Sequence, residues 1–164
     1  MTVTKETIAR AELNLQRKLE WISRYDTRIT FVAGVAIAML GVLANASGLM
    51  SKWTCGAYLS FGTAAALLII SLGCVYFAQK PRVLAPNQSL LFFGTISKMD
   101  FTSFSKQFKN TSDEDYLDDL LHQIHINSIV LCDKFTYLKY SILLIGLSTI
   151  PWGISIYLSK LYLN

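Results

Sequence analysis

ITFVAGVAIAMLGVLANASGLMS, residues 29–51, contains no Asp, Glu, Lys, Arg or His. WTCGAYLSFGTAAALLIISLGCVYFAQ (residues 53–79) and YSILLIGLSTIPWGISIYLS (residues 140–159) are equally free of charge. Each is about 20 residues or longer, enough to cross roughly 30 Å of hydrocarbon at 1.5 Å per residue. A single Asp at a bilayer centre costs about 2.5–3.5 kcal/mol on insertion scales, which explains why runs bordered by so many charges are themselves clean. The expectation is an all-α membrane protein with three transmembrane helices.

The cations set the expected orientation. Lys5, Arg10, Arg17, Lys18, Arg24 and Arg28 precede the first span, and Lys80, Arg82, Lys98, Lys106, Lys109, Lys134 and Lys139 separate the second from the third. Only Lys52 lies in the turn between spans one and two, and only Lys160 follows span three. The positive-inside rule then places the N-terminus and the middle segment in the cytoplasm. The net charge of +4 is mostly this asymmetry, and it calls for no nucleic-acid partner. A cleaved signal peptide fits poorly, because the first apolar run begins only at Ile29 and a second span follows at once. The spacing of Cys55, Cys74 and Cys132 matches no zinc or thioredoxin-like pattern, so small buried residues are expected there.

Upstream of span one, Ile8, Leu15, Leu19 and Ile22 recur at helical intervals, and no Gly or Pro interrupts the way into the membrane. One long helix is expected, with Trp21 and Tyr25 near the interface. Gly34, Gly41 and Gly48 repeat every seven residues along span one, and span two offers further small residues. Such positions let membrane helices approach closely, either within one subunit or between subunits of a homo-oligomer.

After span two, Pro81 and Pro86 end the helix, and Ser89-Leu90-Leu91-Phe92-Phe93-Gly94 reads as a strand or buried loop. Asp100 caps a short helix bearing Phe101, Phe104 and Phe108, and Lys109-Asn110-Thr111 reads as a turn. Ser112 with Asp115 then opens a second long helix, over which Leu117, Leu121, Ile124, Leu131, Phe135 and Leu138 lead into span three. That helix is about 70 Å long at 1.5 Å per residue, and Pro151 is expected to kink it. The two cytoplasmic helices are natural partners, with residues 90–108 as a small cap on them.

No catalytic constellation stands out: there is no Walker loop, G-x-S-x-G elbow or H-E-x-x-H, so an enzyme is not expected. His122 and His125 share a helix face without a third ligand elsewhere, and the acidic run 113–119 reads as capping and a solvated patch. The spans carry no ionisable residue, which argues against a proton-coupled transporter. Polar residues within them, among them Asn45, Ser60, Thr63, Ser71, Ser148 and Thr149, suit packing or a pore lining. At the cytoplasmic rim, Arg24, Arg28, Lys80, Arg82 and Lys98 accompany Phe92, Phe93 and Tyr137. Cations with aromatic faces suit a nucleotide's phosphate and base, although anionic lipid also attracts cations there.

Trp21-Ile22-Ser23-Arg24-Tyr25-Asp26-Thr27-Arg28 before a Gly/Ala-rich span resembles the entry motif of the Pycsar transmembrane effectors. Asn87-Gln88-Ser89-Leu90-Leu91-Phe92-Phe93-Gly94, followed by Lys98, resembles that family's N-x-x-L-L-F-F-G segment. The acidic stretch leading to Leu120-Leu121-His122-Gln123-Ile124 and Cys132-Asp133-Lys134-Phe135 is similar to its helix running into the final span. The resemblance spans about residues 15–158. It implies a bacterial antiphage effector of the inner membrane, activated by a cyclic pyrimidine mononucleotide (cCMP or cUMP) from a partner cyclase and causing abortive infection. Apart from that ligand no cofactor is expected. The ligand-binding candidates, chosen on position and chemistry, are Arg24, Arg28, Asn87, Phe92, Phe93 and Lys98; Gly34, Gly41 and Gly48 are candidates for helix packing or oligomers. The expected organisation is a cytoplasmic amphipathic helix (1–28), a two-span hairpin (29–79), a cytoplasmic sensing segment (80–139), the third span (140–159) and an outer tail (160–164). The alternatives are a membrane effector gated by a cyclic di- or oligonucleotide, and a ligand-free membrane scaffold protein.

Overall fold

The computed structural model describes residues 3–80 and 89–163. Five helices follow in order: α1 (Lys5–Gly48), α2 (Cys55–Gln79), α3 (Phe93–Ile96), α4 (Phe101–Asn110) and α5 (Asp113–Leu161). No strand occurs among the described residues; one isolated bridge pairs Met50 with Leu163. α1, α2 and α5 are each long and apolar enough to cross a membrane, as the three uncharged runs required. Pro81, Arg82, Pro86 and Asn87 lie outside the described residues.

The helices begin where side chains satisfy the free amides of a first turn. Thr54 accepts from the Ala57 amide at 3.3 Å to open α2, and Asp100 accepts from the Ser103 amide at 2.9 Å to open α4. The Ser103 side chain first, and then that amide, hold the Asp100 carboxyl below the usual carboxylate range by hydrogen bonding to its charged form. Ser112 accepts from the Asp115 amide at 3.1 Å and donates to its carboxylate at 2.6 Å, so the expected capping pair opens α5. α5 is continuous through Pro151, around which Thr149 donates to the Gly146 carbonyl and Ser155 to that of Pro151.

The chain divides into two compact units: Met1–Arg24 with Pro81–Asp133, and Tyr25–Lys80 with Lys134–Asn164. In the first, Ala11, Leu117 and Leu120 form a core flanked by Ile8, Leu15, Leu91 and Ile124. The two long helices are therefore partners there, but not through every residue expected. Leu19 and Leu121 are 51% and 50% exposed. The buried positions advance by alternate steps of three and four (8, 11, 15 and 117, 120, 124), a 3.5-residue period that turns Leu19 and Leu121 outward.

In the second unit the same rhythm continues at Tyr25, Ile29, Val32 and Ala36 on α1, and at Leu138, Ser141, Ile145, Ser148, Trp152 and Ser155 on α5. Its helices meet through Ala and Ser rather than Gly. Ser71 and Ser141 join their hydroxyls at 2.7 Å, and the Trp152 indole donates to the Met39 carbonyl at 3.0 Å. Ser51 binds the Tyr162 carbonyl through its amide at 3.2 Å and its hydroxyl at 2.8 Å. These bonds bring the α1–α2 turn and the end of α5 to one end of the unit. A side chain added at Gly34, Gly41 or Gly48 would meet nothing within 4 Å, so these glycines face away from the chain's own packing. Cys55 and Cys132 are exposed and Cys74 is half-buried, against the expectation of buried cysteines.

Candidate functional site

Residues 89–94, where a strand or buried loop was expected, form a short loop turning into α3. A single hydroxyl organises it. Ser89, almost fully buried, donates to the Asp119 carboxylate at 2.9 Å. Its oxygen also lies within hydrogen-bond range of the Leu91 amide (3.2 Å), the Phe92 amide (3.0 Å) and the Gln123 side-chain amide (3.2 Å). The same Asp119 oxygen accepts from the Leu90 amide at 2.9 Å. Asp119 is thus a fastening point for the loop on α5, and not merely part of a solvated acidic patch. Loop amides have no ladder to pair with, so an acceptor on a neighbouring helix has to supply one.

This fastening presents two aromatic rings. Phe92 and Phe93 lie with centroids 4.7 Å apart, and Phe93 is 71% exposed. The Phe92 ring lies directly over Gly94, where an added Cβ would clash with its Cε1 atom. Gly94 therefore makes room for the ring. Lys98, four residues on, is exposed and has no ion-pair partner among the described residues. Arg24 belongs to the same unit and stands over the Trp21 ring at 5.9 Å, a cation against an aromatic face. Arg28 belongs to the second unit. Of the candidates, then, the structure joins Phe92 to Phe93 and Arg24 to Trp21; Asn87 lies outside the described residues.

A cavity of about 550 Å3 also opens in the first unit, lined by Leu90, Gln107, Asn110, Asp115, Asp118 and His122 among others. Its size suits a small ligand but its charge does not suit a nucleotide. One carboxylate 5 Å from a phosphate costs about 3 kcal/mol at an effective dielectric of 20, and Asp115, Asp118 and Asp119 all line it. Lys98, exposed in the same unit, offers the opposite, favourable sign. Beside the cavity, Tyr116 donates to Glu12 at 2.8 Å, and that bond, with burial, pushes its phenol above the usual range. His122 and His125 are exposed, and no group of three or more metal-ligating side chains occurs among the described residues.

Ser89, Asp119, Gln123 and Trp21 were not among the expected site residues. All lie within motifs quoted for the family resemblance, which was the available signal; their pairing across some thirty residues was not.

This is a three-span membrane protein whose first unit displays a pair of aromatic rings at a fastened loop. The family model described as the Pycsar effector protein domain matches residues 10–159. The chain belongs to that family of antiphage membrane effectors. It is similar to the Pycsar effector protein GmPycTM of Gulbenkiania mobilis, with 28% identity in an alignment covering 74% of this chain and 77% of that one. No solved structure matches.

Proposed function

We propose that this protein senses a cyclic pyrimidine nucleotide, cCMP or cUMP, made by a partner cyclase, and responds by impairing the bacterial inner membrane so that infection aborts. Its N-terminus and residues 80–139 lie in the cytoplasm, where the ligand is produced. Family membership across residues 10–159 carries this reading. The base stacks on Phe93 beside Phe92, and Lys98 and Arg24 supply charge for the cyclic phosphate, with Asn87 as a further contact. Arg28, the remaining candidate, stands one helical turn from Arg24 on α1.

Ligand on the 89–98 segment acts on α5 through Ser89 and Asp119. Because α1 and α5 each contribute residues to both units, a change in their packing reaches the spans. The ligand need only bind one of two arrangements more tightly. The Gly34, Gly41 and Gly48 face, free of the chain's own side chains, then serves contact between copies in a homo-oligomer that damages the bilayer.

Titration of the purified full chain in detergent with cCMP and with cUMP tests this directly. Saturable binding that Phe93→Ala and Lys98→Ala each weaken supports the site. Binding unaffected by both places the nucleotide elsewhere, and absence of binding to either nucleotide refutes direct sensing.

A further inference from the structure

Between α1 and α5 in the second unit runs a groove of about 640 Å3. Buried Val32 and Leu138 form its floor, and Phe31 and Ile142, 73% and 53% exposed, stand along its rims. On α1 it extends from Thr27 to Val35, about 12 Å at 1.5 Å per residue, most of the depth of one leaflet. Spans one and three begin at Ile29 and Tyr140, so the groove opens at headgroup level and continues into hydrocarbon.

Its two ends differ in chemistry. The deep part is wholly apolar, and water has no partners there; left empty, its lining would forfeit dispersion contacts. At the shallow end stands Arg28, exposed and without an ion-pair partner among the described residues. Lys139, next to floor residue Leu138, is a second exposed cation without an ion-pair partner among the described residues. A guanidinium grips a phosphate through two parallel N–H bonds, and a basic residue at this level favours anionic headgroups.

We infer that this groove seats one acyl chain of an anionic glycerophospholipid, with the lipid phosphate on Arg28. Arg28 is thereby a lipid ligand and not part of the nucleotide site. The inference does not depend on the identity of any soluble ligand.

The test uses the full chain reconstituted in mixed phosphatidylglycerol and phosphatidylcholine vesicles, then extracted gently so that native mass spectrometry counts the lipids retained. Wild type is expected to keep phosphatidylglycerol over phosphatidylcholine. Arg28→Gln should lower that preference about five-fold, the factor equivalent to about 1 kcal/mol for one basic residue at an anionic surface. Val35→Trp, which fills the groove, should lower retention of both lipids while circular dichroism shows the helices intact. Equal retention of the two lipids by wild type, or an unchanged preference in Arg28→Gln, overturns the inference. So does a loss of cCMP and cUMP binding in Arg28→Gln with phosphatidylglycerol retention intact, which would assign Arg28 to the nucleotide.

Discussion

The Ser89 hydroxyl donates to the Asp119 carboxylate at 2.9 Å, tying the loop before α3 to a helix thirty residues further along the chain. Everything the loop displays depends on this tie. The backbone amides of Leu90, Leu91 and Phe92 all bond to one or other of these two side chains.

Breaking the tie should silence the response without removing the protein from the membrane. A buried donor or acceptor left without its partner costs about 1–3 kcal/mol. Ser89→Ala and Asp119→Ala should loosen residues 89–98, seen as faster proteolysis there and weaker nucleotide binding. Asp119→Asn, which keeps an acceptor oxygen, should fall between wild type and Asp119→Ala. Equal protease resistance in all three variants would remove the fastening role.

Gly94→Ala should displace the Phe92 ring, because the new Cβ would clash with its Cε1 atom. Ligand affinity is expected to fall about ten-fold or more, equivalent to about 1.4 kcal/mol. In a Phe92→Ala background the same Gly94→Ala change should have little further effect, since the obstacle is gone. Additive losses in the double variant would mean that Gly94 acts by some route other than the ring.

Gly41→Leu meets no neighbour in its own chain, so expression and thermal stability should stay within about 0.5 kcal/mol of wild type. The bulky side chain should nevertheless block close approach of a second copy and abolish toxicity. Crosslinking in membranes should show fewer oligomers. Full killing by a normally expressed Gly41→Leu chain would exclude the glycine face from the mechanism.

The Tyr25 hydroxyl is buried with no hydrogen-bond partner among the described residues, although its ring is well packed against Phe135 at 5.6 Å and under the Lys134 ammonium at 5.1 Å. Tyr25→Phe keeps the ring and removes the orphaned group. It should raise the unfolding temperature in detergent, by an amount equivalent to about 1–3 kcal/mol. A lower unfolding temperature would mean that the hydroxyl finds a partner in the membrane-bound protein.

The sequence carried the long-range plan more clearly than its contacts. Charge-free runs reveal spans because a charge in hydrocarbon is so costly, and Asp100 and Ser112 reveal helix starts because capping is local. The packed faces were harder to read. Leu19 and Leu121 fit an amphipathic pattern, yet a 3.5-residue period buries Ala11 and Leu120 instead. The glycines drew attention as packing residues, whereas buried serines such as Ser71 and Ser141 make the contact between helices. In an apolar span a serine can bond its own helix or a neighbouring one, and composition does not distinguish these outcomes. The Ser89–Asp119 tie was illegible for a plainer reason: it joins distant parts of the chain through one side chain each.

Dye entry is the most direct measurement. Cells expressing the chain should take up propidium when cCMP or cUMP is supplied, and exclude it when either protein or nucleotide is absent. Uptake without nucleotide, or continued exclusion with nucleotide despite confirmed membrane expression, would contradict a nucleotide-gated membrane effector.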